Sequence, residues 1–386
     1  MFAFLFKTAL RNAWRHRLRA VLTVVGLVIA ILAFGLLRTV VDAWYAGADA
    51  ASNARLITRN SVSLVFPLPI SYRDRIRQVE GVDKVSWAFW FGGIYIDERN
   101  FFPQFAVGGP YFEQYPEFQL DEAEKKAFLV DRRGAIAGRK LAERFGWQVG
   151  DVIPIRGTIF SGNWTLVLRG IYDGKEAGTD ESQFFLHWDY VNEEMKRRRA
   201  GWADRAGIFV VSIDDAGQAA EVSEAVDKLF RNSLAETLTE TEKAFQLGFV
   251  SMTEAILVAI EIVSYVVILI IMAVMANTMA MAARERTAEY ATLKALGFGP
   301  DVIAWLIVLE SLVLCAFGAG IGLLLTFPFA DWFGKAVENV LPIFLVSTQT
   351  LWMQLASALI VALVAAALPA LRARRIKIVD GLRSIG

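Results

Sequence analysis

Cysteine and histidine are almost absent from this sequence. Its 386 residues include one cysteine, Cys315, which lies in an apolar run, and two histidines, His16 and His187, which are far apart in the chain. A single cysteine excludes an intramolecular disulfide. Without a cluster of cysteine and histidine residues, the sequence does not predict a structural zinc site.

An excess of charge of either sign is also missing, because 40 basic residues balance 40 acidic residues. A protein that binds nucleic acid needs a basic surface to neutralise the phosphates. The balanced charge therefore argues against nucleic acid as a partner.

Motifs for catalysis are missing as well, since the sequence contains neither Gly-x-Ser-x-Gly nor His-Glu-x-x-His. The nearest match to a phosphate-binding loop, residues 170–176, has one residue too few between its glycines. It also lacks the Ser or Thr that would hold Mg²⁺. We interpret this segment as a turn after a strand, and we expect no catalytic residue, metal or cofactor in this chain.

Long apolar runs, by contrast, occur at residues 20–37, 262–281, 302–328 and 352–371. At about 1.5 Å of rise per residue, each can cross a hydrocarbon layer of about 30 Å as a helix. A cleaved signal peptide is the rival interpretation of the first run, although the run is longer than the apolar core of a typical signal. The sequence therefore predicts an integral membrane protein with four transmembrane helices.

Basic residues near the ends of these runs predict their orientation. They cluster before the first run, between the second and third, and after the fourth. Because basic flanks favour the cytoplasm, we expect both termini inside. The predicted divisions are a cytoplasmic basic segment (1–19), the first span (20–41), an outer α+β domain with a stalk helix (42–252), the second span (253–282), a cytoplasmic helix (283–301), the third span (302–328), an outer loop (329–349), the fourth span (350–371) and a cytoplasmic tail (372–386).

The segment between the first two runs has the pattern of an α+β domain. Alternating apolar residues predict strands at 84–91, 151–156, 165–172 and 207–213, and helical stretches lie between them at 71–79, 138–145 and 217–230. Aromatic residues crowd positions 87–118, where a core is favoured over a substrate surface. Residues 219–252 predict one long helix that leads into the second span, as either a rigid lever or a packed connector.

Residues 284–297 form a charged segment between the second and third runs. Glu285 and Glu289 are expected on one face of a helix, and Gly297 suits the end of that helix. A partly apolar stripe lies beside them, formed by Tyr290, Leu293 and Leu296 or Ala295. The pattern predicts a short helix along the inner membrane surface, with charges available to a soluble partner. The alternative is a surface helix without a partner.

The same segment resembles the coupling helix of FtsX-like, MacB-type ABC transporter permeases, through Glu285-Arg286-Thr287, Glu289 and residues 293–297. Residues 9–26, 138–151 and 369–373 resemble other parts of that family. Ala288 and Lys377-Ile378 depart from its pattern. The resemblance implies a membrane α-helical fold with four transmembrane helices and an inserted α+β periplasmic domain of MacB type.

The resemblance also implies partners. ATP and Mg²⁺ would be bound by a separate cytoplasmic ABC ATPase dimer, which docks on this segment of the chain. A second permease copy, a periplasmic adaptor and membrane lipids would complete the assembly. The implied ATPase-coupling residues are Arg284, Glu285, Arg286, Thr287, Glu289, Leu293, Lys294, Leu296 and Gly297.

Two functions are open under this resemblance. One is export or extraction of a hydrophobic or amphiphilic substrate, such as a lipoprotein, lipid, peptide or drug, and the size of the periplasmic domain favours it. The other is mechanical regulation of an envelope partner such as a cell-wall hydrolase. An ATP-independent receptor is a third class, which would need no coupling helix.

The third run contains one acid, Glu310, and two glycines four residues apart, Gly318 and Gly322. A carboxylate inside a membrane faces protein or water and is often functional, whereas glycines at this spacing let another helix approach closely. A structural hydrogen bond at a dimer interface is an equal alternative for Glu310. We therefore expect these three residues to form an intramembrane polar site or dimer interface.

Overall fold

The computed structural model describes residues 2–176, 178–337 and 341–376, and it divides into two compact units. The helical unit comprises the described residues of 1–43, 253–336 and 344–386. The sheet unit comprises Trp44–Met252 and the described part of 337–343. The fold class is confirmed: four membrane helices accompany an inserted α+β domain.

Four helices of the described residues are long and apolar enough to cross a membrane: α2 (Arg17–Ala50), α10 (Glu254–Glu285), α12 (Pro300–Val337) and α13 (Thr348–Arg374). Large apolar side chains on these helices face outward, including Ile29, Ile262 and Leu324. A helix in water would bury such residues, whereas lipid tails solvate them, so the outward faces suit a bilayer. Two shorter helices, α1 (Phe2–Ala13) and α11 (Thr287–Ala295), complete this unit.

The sheet unit is built on a mixed sheet that extends through eleven strands of the described residues, in the order β13-β1-β12-β3-β5-β10-β7-β9-β8-β4, with β6 paired to β9. The pairs β5–β10 and β7–β9 are parallel, and the other pairs are antiparallel. The strands are β1 (Arg55–Asn60), β3 (Val82–Trp90), β4 (Gly93–Ile94), β5 (Gln104–Gly108), β6 (Phe118–Gln119), β7 (Gly134–Gly138), β8 (Val152–Gly157), β9 (Gly162–Gly174), β10 (Phe184–His187), β12 (Ile208–Ile213) and β13 (Thr237–Thr241), and β2 (Leu68–Pro69) pairs separately with β11 (Arg205–Ala206).

Both faces of this sheet are covered. Successive residues of β1, Leu56 and Ile57, belong to two different hydrophobic cores, as period-2 alternation requires. The helices of this unit are α3 (Tyr72–Ile76), α4 (Tyr111–Gln114), α5 (Glu122–Val130), α6 (Arg139–Phe145), α7 (Trp188–Arg198), α8 (Ala219–Phe230) and α9 (Glu242–Ser251). The four strands and three helices predicted from the sequence are all present, with ends shifted by a few residues.

The aromatic segment at 87–118 contributes mainly to these cores. Trp87, Phe91 and Phe102 are buried, and so are Tyr111 and Tyr115. Many of these rings meet edge to face, as between Tyr95 and Trp147, whose centroids are 5.0 Å apart. The interpretation as core residues is therefore confirmed for most of the segment.

The prediction of a single helix over residues 219–252 is wrong. α8 ends at Phe230, Asn232 has a φ of +61°, and β13 then pairs with β1 before α9 begins. The alternating Thr-Leu-Thr-Glu-Thr of β13 suits a strand, and its ladder to β1 depends on residues far away in sequence. The helical spacing of Val222 and Val226 therefore applies only to α8.

The prediction of a turn at residues 170–176 is also wrong for most of these residues, because β9 continues through Gly174. A Cβ at Gly170 would lie 2.8 Å from Leu120 Cδ1 and 3.1 Å from Glu124 Cβ. Glycine is therefore required here for close packing against Leu120 and α5, and not for a phosphate-binding turn.

Candidate coupling site

The break between α10 and α11 falls at Arg286, whose side chain is buried. Arg286 Nη1 donates to Glu310 Oε2 of α12 at 2.6 Å, and Nε donates to Glu289 Oε2 at 3.1 Å. The guanidinium carbon lies 5.4 Å from the centroid of the Tyr290 ring. A buried arginine with two carboxylate partners fixes the start of α11 against α12.

Two arginines before and at the start of α2 hold the acidic side chains of this junction. Arg19 donates two hydrogen bonds to Glu285, at 2.8 and 2.6 Å, and Arg15 donates one to Glu289. Burial alone would raise the pKa of Glu289, but the hydrogen bonds from Arg286 and Arg15 hold that pKa below its ordinary value. The two acids lie on different helices, α10 and α11, which corrects the expected single helix face, and each has an arginine partner in the chain.

The other end of α11 has the geometry of a Schellman motif. Gly297 N donates to Lys294 O at 3.0 Å, and Phe298 N donates to Leu293 O at 3.1 Å. Gly297 has a φ of +94°, which glycine adopts without strain, as its predicted place at the helix end requires. Beside this motif, Leu296 is 72% exposed and Phe298 is 36% exposed. We call these two residues the apolar tip.

Polar contacts also connect this segment to the end of α13. Lys294 Nζ donates to the carbonyl oxygens of Arg374 and Ile376, at 3.0 and 2.7 Å. An ammonium group is favourable at the carbonyl end of a helix. On the opposite side, Thr287 Oγ1 donates to Arg284 O at 2.8 Å, and Arg284 itself is exposed. The segment is therefore held by α12, by α13 and by residues 15–19.

Glu310, Gly318 and Gly322 pack against other parts of the same helical unit, and their role at a dimer interface stays a prediction. Glu310 is 6% exposed and bound to Arg286. A Cβ at Gly318 would lie 2.5 Å from Leu27 Cβ, and one at Gly322 would lie 3.0 Å from Ile31 Cβ. The glycines therefore let α12 approach α2 of the same chain. Sequence spacing predicts a close approach but does not say which helix approaches.

A second polar cluster in the helical unit was not recognised in the sequence. Gln354 of α13 is fully buried, and its Nε2 donates to Ile31 O at 2.9 Å and Thr326 Oγ1 at 3.0 Å. Asp42 accepts hydrogen bonds of 2.6 and 2.7 Å from the hydroxyls of Ser347 and Thr350. The amide in an otherwise apolar run is the signal that could have revealed this cluster, because a polar side chain inside a membrane needs partners.

A membrane-spanning helical unit with an inserted mixed α+β domain defines a class of membrane proteins, and comparison with known families identifies the family. A model of the MacB-like periplasmic core domain matches residues 20–229, and a model of the FtsX-like permease C-terminal region matches residues 261–378. The chain belongs to the FtsX-like, MacB-type ABC transporter permeases, which are multi-pass membrane proteins.

Two relatives carry names that agree with this family. An uncharacterized ABC transporter permease protein of Mycobacterium tuberculosis is 24% identical over 216 residues, which are 56% of this chain and 23% of that protein. An uncharacterized ABC transporter permease of Methanocaldococcus jannaschii is 25% identical over 339 residues, which are 82% of this chain and 81% of that protein. The match therefore spans about a quarter of the first relative and about four fifths of the second.

Similar solved structures include the extracellular domain of the noncanonic ABC-type transporter YknZ from Gram-positive bacteria. It has 15% identity and a TM-score of 0.34, covering 48% of this chain and 98% of that one. A permease-protein domain from Porphyromonas gingivalis has 12% identity and a TM-score of 0.35, covering 49% and 90%.

Proposed function

We propose that this chain is the non-catalytic membrane subunit of an ABC transporter in the bacterial inner membrane, with both termini in the cytoplasm. A separate ABC ATPase binds ATP and Mg²⁺, and its movement enters the chain through α11. The observation that carries the proposal is the combination of the exposed apolar tip, Leu296 and Phe298, with the buried Arg286–Glu310 pair at the other end of the same helix.

An element that transmits force needs an accessible contact and a stiff attachment. The tip supplies the contact, since covering Leu296 removes apolar surface from water. The attachment consists of the Arg286–Glu310 pair to α12 and of the hydrogen bond from Arg15, just before α2, to Glu289 of α11. A displacement of α11 therefore moves two membrane helices together.

The number of permease copies in the proposed assembly follows from the ATPase partner. ABC ATPases act as dimers, so two copies of this four-span chain face them, as a homodimer or a close heterodimer. Lipids surround the helical unit, and a periplasmic adaptor is proposed to bind the sheet unit. The proposed output is export or extraction of a hydrophobic or amphiphilic substrate, such as a lipoprotein, lipid, peptide or drug.

Mechanical regulation of an envelope partner, for example a cell-wall hydrolase, is the alternative output. Both outputs require docking on α11, so one test applies to the shared step. The partner ATPase is identified by co-purification with the full chain. Loss of substrate export in a deletion strain then favours transport, and loss of hydrolase activity with export unchanged favours regulation.

Replacement of Leu296 by Asp tests docking directly. We expect a loss of ATPase binding of about thirtyfold, since a central apolar contact contributes about 2 kcal/mol to an interface. Leu234→Asp is the matched control, because Leu234 is also highly exposed but lies in the sheet unit. Equal ATPase binding by the two variants would contradict the proposal.

A charge exchange at Arg19 and Glu285 separates docking from folding. Glu285→Lys places two cations together and should lower ATPase stimulation. The double variant Arg19→Glu/Glu285→Lys restores an ion pair with reversed polarity. If Glu285 also contacts the ATPase, stimulation stays low in the double variant although its thermal stability recovers. Full recovery of stimulation would assign this pair a purely structural role.

A further inference from the structure

A cavity of about 800 Å³ lies in the helical unit, beside the start of α2 and the last third of α10. Its lining includes residues 15–19, among which are three arginines and His16. Leu22 of α2 and Val274 of α10 also line it. The cavity thus has one charged part and one apolar part.

The charged part of the cavity can bind an anion. Arg15 and Arg19 already bind Glu289 and Glu285, but the side chain of Arg17 makes no ion pair or hydrogen bond within residues 2–176, 178–337 and 341–376. Arg17 is also the first residue of α2, whose first turn contains no acidic side chain. Cations at the amino end of a helix oppose its dipole, so an anion bound there is stabilised by both the dipole and the guanidinium group.

The apolar part distinguishes an amphiphile from a simple anion. Leu18 is 76% exposed, Leu22 is 63% exposed and Val274 is 49% exposed. A free phosphate ion would make no contact with these side chains, whereas an acyl chain attached to a phosphate would pack against them. Basic pockets between membrane helices are suited to anionic headgroups for the same reason.

We propose that this cavity binds an anionic phospholipid, with its phosphate at Arg17 and an acyl chain along Leu22 and Val274. The proposal depends on the membrane location of the helical unit and not on the transport function. The bound headgroup lies near Arg15 and Arg19, the two arginines that hold the acids of the α10–α11 junction. The ligand is therefore placed beside the candidate coupling site.

The test uses the full chain in nanodiscs of phosphatidylcholine with a minor fraction of phosphatidylglycerol. The protein is transferred to mild detergent, and the retained lipids are counted by mass spectrometry. We expect phosphatidylglycerol to be enriched over its bulk fraction. Arg17→Gln should reduce this enrichment about fivefold, which corresponds to about 1 kcal/mol for one basic residue near an anionic headgroup. Arg11→Gln removes the same charge from an exposed position of α1 outside the cavity and should leave the enrichment unchanged.

Two further measurements separate the lipid from a diffuse charge effect and from free phosphate. Leu22→Asn keeps the charge but removes the apolar contact, so it should also reduce retention. Inorganic phosphate should fail to displace the lipid. The proposal is overturned if Arg11→Gln and Arg17→Gln act equally, if Leu22→Asn has no effect, or if inorganic phosphate releases all the phosphatidylglycerol.

Discussion

The two units of the molecule each bury one arginine between carboxylates, but in different surroundings. In the sheet unit, Arg55 donates to Glu242 at 2.8 Å and to Glu117, and it lies 4.1 Å from the Tyr115 ring centroid. In the helical unit, Arg286 bonds to Glu310 and Glu289.

Each arginine has one buried carboxylate partner and one that is more exposed. In the sheet unit, the side chain of Glu242 is 9% exposed and that of Glu117 is 28% exposed. In the helical unit, the side chain of Glu310 is 8% exposed and that of Glu289, which lies at the coupling site, is 41% exposed. The comparison teaches that burial of the arginine alone does not define its role. We therefore expect the Arg55 cluster to serve stability and the Arg286 cluster to serve coupling.

We expect Arg55→Met to cause the largest loss of stability. The variant leaves Glu242 buried without its cation, so the free energy of unfolding should fall by about 3–5 kcal/mol. Denaturant unfolding of the full chain, followed by hydrogen exchange in β1 and β12, measures this loss. Arg59→Met is the control on the same strand, because its pair with Glu240 is more exposed, and it should cost about 1 kcal/mol or less. Similar losses for both variants would contradict a special role for Arg55.

We expect substitution of Arg286 to cause the second largest loss of stability. Arg286→Met leaves Glu310 unpaired and should cost about 3 kcal/mol in thermal stability. The double variant Arg286→Met/Glu310→Met replaces the pair by apolar groups, and stability should largely recover. ATPase stimulation should remain low in both variants, because the rigid attachment of α11 to α12 is absent. Recovery of stimulation together with stability would remove the functional distinction between the two clusters.

Substitution of two glycines of α12 should test a smaller change in the stability of the helical unit. Gly318→Ala places a Cβ 2.5 Å from Leu27 Cβ, so it should destabilise the unit by about 1–3 kcal/mol through overpacking. Gly320→Ala meets no heavy atom within 4 Å and should be neutral or slightly stabilising. Thermal unfolding in detergent compares the two variants. A loss for Gly320→Ala as large as that for Gly318→Ala would contradict the close approach of α2.

These contrasts show which parts of the molecule could be predicted from the sequence. The four membrane helices and the Gly297 helix end depend on local properties, namely apolar length and one left-handed residue. The end of α8 at Phe230 and the pairing of β13 with β1 depend on contacts between distant segments, which helical spacing does not record. The same holds for the candidate site: the charges of Arg286 and Glu310 are visible in the sequence, but their pairing is not.

The smallest expected change in stability is the one caused by pH, and it should be confined to the sheet unit. Burial lowers the pKa of His187 and outweighs the hydrogen bond between His187 Nε2 and Phe128 O, which is 2.6 Å long. The unfolded chain therefore binds a proton at a higher pH than the folded chain does. It follows that the free energy of unfolding is fully retained above the ordinary histidine pKa of about 6.5 and decreases as the pH falls below it.

His187→Phe removes this titration while retaining a ring that can stack on Phe128, whose centroid lies 3.9 Å from that of His187. Unfolding midpoints of the full chain at about pH 7.5 and about pH 5.5, on either side of the ordinary histidine pKa, should differ less in the variant than in the wild type. Hydrogen exchange in β10 assigns the difference to the sheet unit. An identical pH dependence in both proteins would show that His187 titrates alike in the folded and unfolded states, and the pH effect would then have to arise from other groups.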